Sequence, residues 1–256
     1  MLDANAEINV ANHHGDTALI LAASKGTTEC LKALIDAKAD IGAKNNKGDL
    51  GLTLAASQGR PACLQLLLEA KANVDAAIMK GSTALILAAR NGRPKCVQLL
   101  LAAKADVDAA DHASDTALIF AAWLGHIACL ELLLENMANV SVRNRSGDTA
   151  LMVAARSGHS KCVQLLLDSK ANVDAENENG DTASTVAARQ GQIECLRKLL
   201  DAKADISNAN NASDTALTLA AWQGHTACVQ LLLENQADIS IRNRHGDTAL
   251  IIAVGN

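Results

Sequence analysis

The chain has 256 residues, a formal net charge of −5 and a hydrophobic content of 49%, while aromatic residues make up only 1% of it. The negative charge argues against a general nucleic-acid interface, which needs a basic face, and few aromatic rings are present to stack on bases. No apolar run approaches the roughly 20 residues of a membrane span, and the N-terminus has no signal-peptide pattern. We therefore expect a soluble chain with no direct membrane insertion and no nucleic-acid partner.

One block of sequence recurs along the whole chain. Its opening, typified by Gly147-Asp148-Thr149-Ala150-Leu151, starts again every 33 residues, at positions 15, 48, 81, 114, 147, 180, 213 and 246, without insertion or deletion. Such a fixed period predicts a stacked array in which each repeat contacts only its neighbours. We predict a single array over residues 1–256, with a partial repeat at 1–14, full repeats at 15–47, 48–80, 81–113, 114–146, 147–179, 180–212 and 213–245, and a partial repeat at 246–256.

The repeat that begins at Gly147 shows the expected elements in order. Thr149 before an apolar run predicts a helix N-terminus, because its hydroxyl can accept a hydrogen bond from a free N–H of the first turn. We expect a first helix over about 149–157 and a second over about 160–169, separated by a turn at Gly158 and His159. His159, like His126 and His225, is expected to form hydrogen bonds at the start of the second helix. A polar, hairpin-like finger follows each second helix.

These residues resemble a known family. The pattern G-x-T-x-L, then Ala-Ala, Gly-His, a Leu-Leu-Leu helix and an Ala-Asn/Asp-Val turn is similar to the ankyrin repeat over essentially the whole chain. The resemblance implies an all-α fold, an ankyrin-repeat solenoid of stacked helix-turn-helix units with hairpin-like finger loops. It also implies a scaffold that binds proteins, with a partner that differs from one member to another.

Two departures from the family pattern recur. Where the family has Thr-Pro-Leu-His, this chain has Ala for Pro in nearly every repeat and no His, so the family's His-mediated hydrogen bonds between fingers are expected to be absent. After the second helix the family has a glycine in the left-handed conformation, which costs other residues roughly 1 kcal/mol. We predict positive φ at the residues that replace it: Lys38, Lys71, Lys104, Met137, Lys170, Lys203 and Gln236.

The seven cysteines share one position in the second helix: Cys30, Cys63, Cys96, Cys129, Cys162, Cys195 and Cys228. Neighbouring helices lie about 8–10 Å apart, beyond the ~7 Å between Cα atoms that a disulfide allows. Evenly spaced single cysteines are not a metal cluster either, and the pair His13-His14 lacks further ligands. We predict buried, reduced thiols, no metal or cofactor, and an intracellular location, cytoplasmic or nuclear.

Both ends of the chain fall inside a repeat. Met1 aligns with the core residue Leu34, and the chain stops at Asn256, within or just after a first helix. Because an array needs polar outer faces at its ends, we expect a segment of a longer array or protein. The alternative is a truncated first repeat whose exposed end another chain covers. A longer period of 99 residues, which relates Trp123 to Trp222, suggests duplication in blocks of three.

Positions that differ between repeats are the candidates for binding a partner. In an ankyrin-like stack, the fingers and the exposed side of the first helices line a concave face. Tryptophan and arginine, the residue types enriched in binding hot spots, stand at the ends of five first helices: Arg90, Trp123, Arg156, Arg189 and Trp222. The finger candidates are Ile78, Met79, Arg143, Arg145, Arg242 and Arg244. The alternatives are that the tryptophans lie across the next repeat and that the finger residues are solvated tips.

The function predicted is a non-catalytic interaction scaffold that binds a protein partner on its concave face and finger loops. The alternative is a regulatory or anchoring segment of a larger enzyme or channel. No Ser/His/Asp or Cys/His set and no phosphate-binding loop stands out from the repeat pattern, so we predict that the chain is not an enzyme.

Overall fold

The computed structural model describes residues 7–255, which form fifteen α-helices and no β-strand. These residues fall into two units, the first comprising 7–117 with Glu135–Ala138 and the second Leu118–Leu134 with 139–255. The expectations for Met1 and Asn256 lie outside the described residues. The first six helices are α1 (Ala18–Lys25), α2 (Thr28–Asp36), α3 (Gly51–Gln58), α4 (Pro61–Glu69), α5 (Ala84–Arg90) and α6 (Pro94–Ala102). The remaining nine are α7 (Ala117–Trp123), α8 (Ile127–Glu135), α9 (Ala150–Ser157), α10 (Ser160–Asp168), α11 (Ala183–Arg189), α12 (Ile193–Asp201), α13 (Ala216–Trp222), α14 (Thr226–Glu234) and α15 (Ala249–Gly255).

The helices pack as repeated pairs within each unit. In the first unit, α3 packs on α1 and α5 and also on its own partner α4, while α2, α4 and α6 form a second row. In the second unit, α11 packs on α9 and α13 in the same way. The Ala-Ala pair of each first helix makes this close approach possible, as at Ala154 and Ala155, whose side chains are completely buried. The predicted all-α fold of stacked helix pairs is confirmed.

The first helices begin as predicted. Thr149 Oγ1 accepts a hydrogen bond from the backbone N–H of Met152 at 3.4 Å, which satisfies a free donor of the first turn. The same cap is found at Thr17, Thr83, Thr182, Thr215 and Thr248. Where Leu50 replaces the threonine, the hydroxyl of Thr53 accepts from the Leu50 N–H at 3.0 Å instead.

The second helices end in the predicted left-handed residue. After α10, Lys170 has φ 66°, its N–H donates to Leu167 O at 2.9 Å, and the Ala171 N–H donates to Leu166 O at 3.0 Å. These two bonds satisfy the last carbonyls of the helix. Positive φ is found at all seven predicted positions, Lys38, Lys71, Lys104, Met137, Lys170, Lys203 and Gln236.

Six of the seven thiols are buried as predicted, and Cys30 is exposed, so the prediction is wrong there. In the next repeat, the buried cysteine lies against the preceding second helix. Cys63 Sγ lies 4.0 Å from Thr28 Oγ1 of α2. Among residues 7–255, no second helix precedes α2 to cover Cys30. Burial raises the pKa of the thiols of Cys162 and Cys195 to about 11.

Two of the histidines after a turn glycine, His159 and His225, do not cap their own helices with their side chains, contrary to prediction. His159 and His225 stand at the N-termini of α10 and α14, but neither side chain accepts a hydrogen bond from its helix. The ring of His225 instead places Nε2 3.1 Å from the carbonyl oxygen of Arg189, at the end of α11. Arg60, at the same repeat position, donates from Nε to Ser24 O at 3.3 Å. At Arg60 and His225, this position therefore ties the second helix to the end of the first helix of the preceding repeat.

Candidate functional site

Most fingers are bent by one side chain at their base, whereas the finger that begins at Ile78 has no polar side chain there. Asn177 Oδ1 accepts from the backbone N–H groups of Asn179 at 2.9 Å and Asp181 at 3.0 Å, which closes the loop. Gly180 follows at φ 71°, and Ser213 takes the same left-handed conformation at φ 59° where a glycine stands in most repeats. The bond pattern of Asn177 is repeated at Asn12, Asn45, Asp111, Asn210 and Asn243.

Neighbouring fingers are joined by main-chain bonds. In the second unit, the Asn211 N–H donates to Asn179 O at 2.9 Å, and its side-chain amide donates to Glu178 O at 3.0 Å. In the first unit, the Asn46 N–H donates to His14 O at 3.0 Å. These bonds join fingers in a polypeptide whose repeats lack the histidine that the family has in the first helix. Within each unit, such bonds hold neighbouring fingers together, and the side chains that vary between repeats project from them.

Two of the predicted arginines are held in ion pairs with aspartates at the start of their own helices. Arg156 contacts Asp148 through both guanidinium NH groups, at 2.7 and 2.9 Å, and Arg189 contacts Asp181 at 2.9 and 2.8 Å. The carboxylates are nearly buried, with 6% and 3% of the side-chain surface exposed. A finger asparagine completes each pair, as Asn177 Nδ2 donates to Asp148 Oδ1 at 2.8 Å. Bidentate pairs of this kind fix the end of the first helix to two successive fingers.

The two tryptophans have different surroundings. Trp123, at the end of α7, is 48% exposed and stacks on the buried ring of Phe120, with the ring centroids 6.2 Å apart. Trp222, at the end of α13, is 53% exposed and lines a cleft. Both indoles therefore present large apolar surfaces.

The predicted finger residues fall into two groups. Arg143 and Arg242 bind main-chain carbonyls: Arg143 donates to Gly147 O at 3.2 Å and to Glu176 O of the next finger, and Arg242 donates to Gly246 O at 2.7 Å. The other group projects outward. Met79 is 71% exposed and lies against Gly48, while its neighbour Ile78 is half-buried. Arg145 is exposed, as is Arg90, which has Ser82 at the position where Arg156 has Asp148.

A cleft of about 500 Å³ in the second unit brings three of the predicted residues together. Arg189 and Trp222 form one wall, from the ends of α11 and α13, and the finger residue Arg244 forms another. Asp181 and Asp214 also line the cleft. A smaller cleft of about 320 Å³ occupies the equivalent place in the first unit, with Ser24 at the place of Arg189. The remaining predicted residues do not line either cleft.

The aspartates of these ion pairs were not among the predicted site residues, although the sequence contains a signal for them. Asp148 precedes Arg156 by eight residues, and the same spacing separates Asp181 from Arg189. The asparagines that complete the pairs lie 29 residues after the aspartates. Among residues 7–255, no group of three or more His, Cys, Asp or Glu side chains is arranged to hold a metal ion, and no helix is long and apolar enough to cross a membrane.

Stacked helix pairs with a fixed period, joined by hydrogen-bonded fingers, define a helical repeat scaffold of the kind that binds other proteins. Family models described as "Ankyrin repeats (3 copies)" match residues 1–78, 52–144 and 137–210, and one described as "Ankyrin repeats (many copies)" matches residues 204–253. The chain belongs to the ankyrin repeat family. A comparison with curated proteins found no match to it.

Proposed function

We propose that the chain is a non-catalytic scaffold that binds a protein partner on the surface formed by the fingers and the ends of the first helices. The observation that carries the proposal is the cleft of the second unit, where the half-exposed indole of Trp222 lies beside Arg189 and Arg244. A large exposed aromatic ring next to positioned charges is the usual composition of a binding hot spot.

The construction of this surface supports the proposal. Main-chain bonds and Asp–Arg pairs hold the fingers and helix ends, so little conformational freedom is lost when a partner binds. Rigid repeats keep the geometry constant, while the residue at the end of each first helix changes from Ser24 to Arg90 to Trp222. Recognition is thereby carried by side chains that the fold does not require.

A regulatory or anchoring role within a larger enzyme or channel is the second candidate, and one observation favours it. Around α15 an apolar surface is exposed, with Ile239 60% and Leu250 69% accessible beside Leu233. Exposed apolar patches of this kind are commonly interaction sites. The complete open reading frame that contains this sequence tests the idea, since a catalytic or membrane domain in the same frame would favour it over the free scaffold.

We also propose an intracellular location. Seven free cysteines, one of them exposed at Cys30, suit a reducing compartment, because an exposed thiol is readily oxidised outside the cell. Secretion of the native protein with Cys30 oxidised would contradict this.

The test of the scaffold function is a quantitative pull-down from a lysate of the source cells. The bait is compared with the double variant W123A/W222A and with K161A, a control in which an exposed lysine of α10 is removed. We expect proteins that are retained by the unmodified chain and by K161A and are lost with the double variant. Equal recovery of every protein by all three baits would refute the binding surface.

A further inference from the structure

Three successive repeats can be compared at one pair of positions, eight residues apart. In two of them the pair is Asp148 with Arg156 and Asp181 with Arg189, each joined by two hydrogen bonds of 2.7 to 2.9 Å. In the next repeat the aspartate is present as Asp214, but Trp222 stands where the arginine would be. This repeat therefore has the same carboxylate as the two before it, but an indole in place of the guanidinium.

Asp214 has no ion pair with any described residue, although only 8% of it is exposed. Its carboxylate accepts one side-chain hydrogen bond, from Thr218 Oγ1 at a long 3.5 Å. By contrast, Asp181 receives three side-chain donors at 2.8 to 2.9 Å, two from Arg189 and one from Asn210. Burial of a carboxylate without a cation is costly, so this group favours any cation that can reach it.

Asp214 is reachable because it lines the cleft of about 500 Å³ together with Trp222. Of the two arginines that line this cleft, Arg189 is paired with Asp181, and Arg244 directs its Nε towards His245 Nε2 at 3.3 Å. The indole face supplies a second attraction, since a guanidinium binds an aromatic face through its positive charge and its flat shape. An anion of low exposure and a half-exposed indole thus line one opening.

We propose that this cleft binds an arginine side chain of the protein partner, with the guanidinium bidentate on the Asp214 carboxylate and stacked on Trp222. The partner would supply between chains the group that Arg156 and Arg189 supply within the chain. Arginine fits better than lysine, because its planar fork matches a carboxylate with two parallel hydrogen bonds. The inference rests on the proposed scaffold function and specifies the chemistry of the partner.

The test uses N-acetyl-arginine amide as the probe, with N-acetyl-citrulline amide, its uncharged analogue, and N-acetyl-lysine amide as controls. The readout is the indole Nε1–H signal in a 15N-edited NMR spectrum, because the chain has only two tryptophans. We expect the arginine probe to shift the Trp222 signal and leave that of Trp123 unchanged. Citrulline should bind about tenfold more weakly, since it loses a charge-assisted hydrogen bond to the carboxylate.

Variants separate Asp214 from the rest of the cleft. D214N should weaken binding of the arginine probe by about tenfold, while K161A, the surface control used above, should leave it unchanged. W222R supplies the guanidinium within the chain, so it should abolish binding of the probe and raise the urea midpoint. The rise should vanish in W222R/D214N. Equal binding of the probe by D214N and the unmodified chain would overturn the proposal, as would equal binding of arginine and citrulline.

The result is distinguishable from failure of the scaffold function. If W123A/W222A loses protein partners but D214N retains them all, the scaffold function stands and the arginine site is refuted. If the arginine probe binds in an Asp214-dependent manner while the pull-down recovers no partner, the site stands and the scaffold function is refuted.

Discussion

Replacement of Lys170 by glycine should stabilise the second unit by about 0.5–1 kcal/mol. Lys170 closes α10 at φ 66°, a conformation that costs a residue with a side chain about 1–2 kcal/mol. Glycine avoids that strain but loses more backbone entropy on folding, about 0.5–1 kcal/mol. The exposed Lys170 side chain makes no hydrogen bond or ion pair with the described residues, so the mutation sacrifices no contact there. The difference between the two backbone contributions favours glycine.

The measurement is equilibrium urea unfolding followed by circular dichroism of the helices. With a slope of about 2–3 kcal/mol per molar urea, K170G should raise the midpoint by about 0.3 M at an unchanged slope. The same gain is expected for K38G after α2, since Lys38 also has φ 66°.

Two controls isolate the backbone contribution. K170Q keeps the side chain and the left-handed strain but removes the charge, and so measures what the lysine contributes at the helix C-terminus. K161G introduces glycine into the right-handed first turn of α10 and should destabilise by about 0.5–1 kcal/mol. An unchanged or lowered midpoint for K170G, with K161G destabilised as expected, would refute the reasoning.

Other predictions follow from the buried charges and thiols. R189A leaves the Asp181 carboxylate, 3% exposed, without its cation and should lower the free energy of unfolding by about 1–3 kcal/mol, part of which R189A/D181N should restore in urea unfolding. Burial raises the pKa of the Cys162 and Cys195 thiols to about 11 from the usual 9.0, so the unfolded chain loses these protons first. Stability should therefore fall as pH rises from about 9 to about 11, by about 1.4 kcal/mol per pH unit per thiol, and C162A/C195A should flatten the profile. A thiol reagent at about pH 8 should label one cysteine of the native protein rapidly, and C30S should abolish that fast phase.

Local structure was predictable from the sequence wherever a residue type strongly favours one backbone conformation or one capping position. A threonine before an apolar run and a glycine after it bracket α9, and the structure places the cap at Thr149 and the left-handed turn at Gly158. The positive φ of Lys170 followed from its alignment with a glycine position of the family. Each of these features depends on neighbours in sequence and recurs along the chain, with Leu50 in place of the threonine as the exception, so one interpretation applies almost throughout.

The partners of the site residues were not predictable in the same way. In the sequence, Arg156, Arg189 and Trp222 are equivalent candidates for contact with a partner. Only the structure shows that the guanidinium groups of the two arginines are already bound to Asp148 and Asp181. Those pairs depend on how a helix end meets two fingers in space. Likewise, the exposure of Cys30 depends on what precedes α2 in the stack, which the repeat position itself does not determine.

The confinement of the aromatic rings to one unit has a practical consequence. Phe120, Trp123 and Trp222 are the only aromatic residues of the chain, and all belong to the second unit. Intrinsic tryptophan fluorescence therefore does not report on the unfolding of the first unit, whereas the far-UV circular dichroism of the helices reports on both units. Denaturation curves recorded with the two probes follow different parts of the molecule, and any gap between them measures how independently the halves melt. Arg90 occupies the repeat position of the two tryptophans. The substitution R90W would therefore give the first unit a fluorophore at an equivalent position.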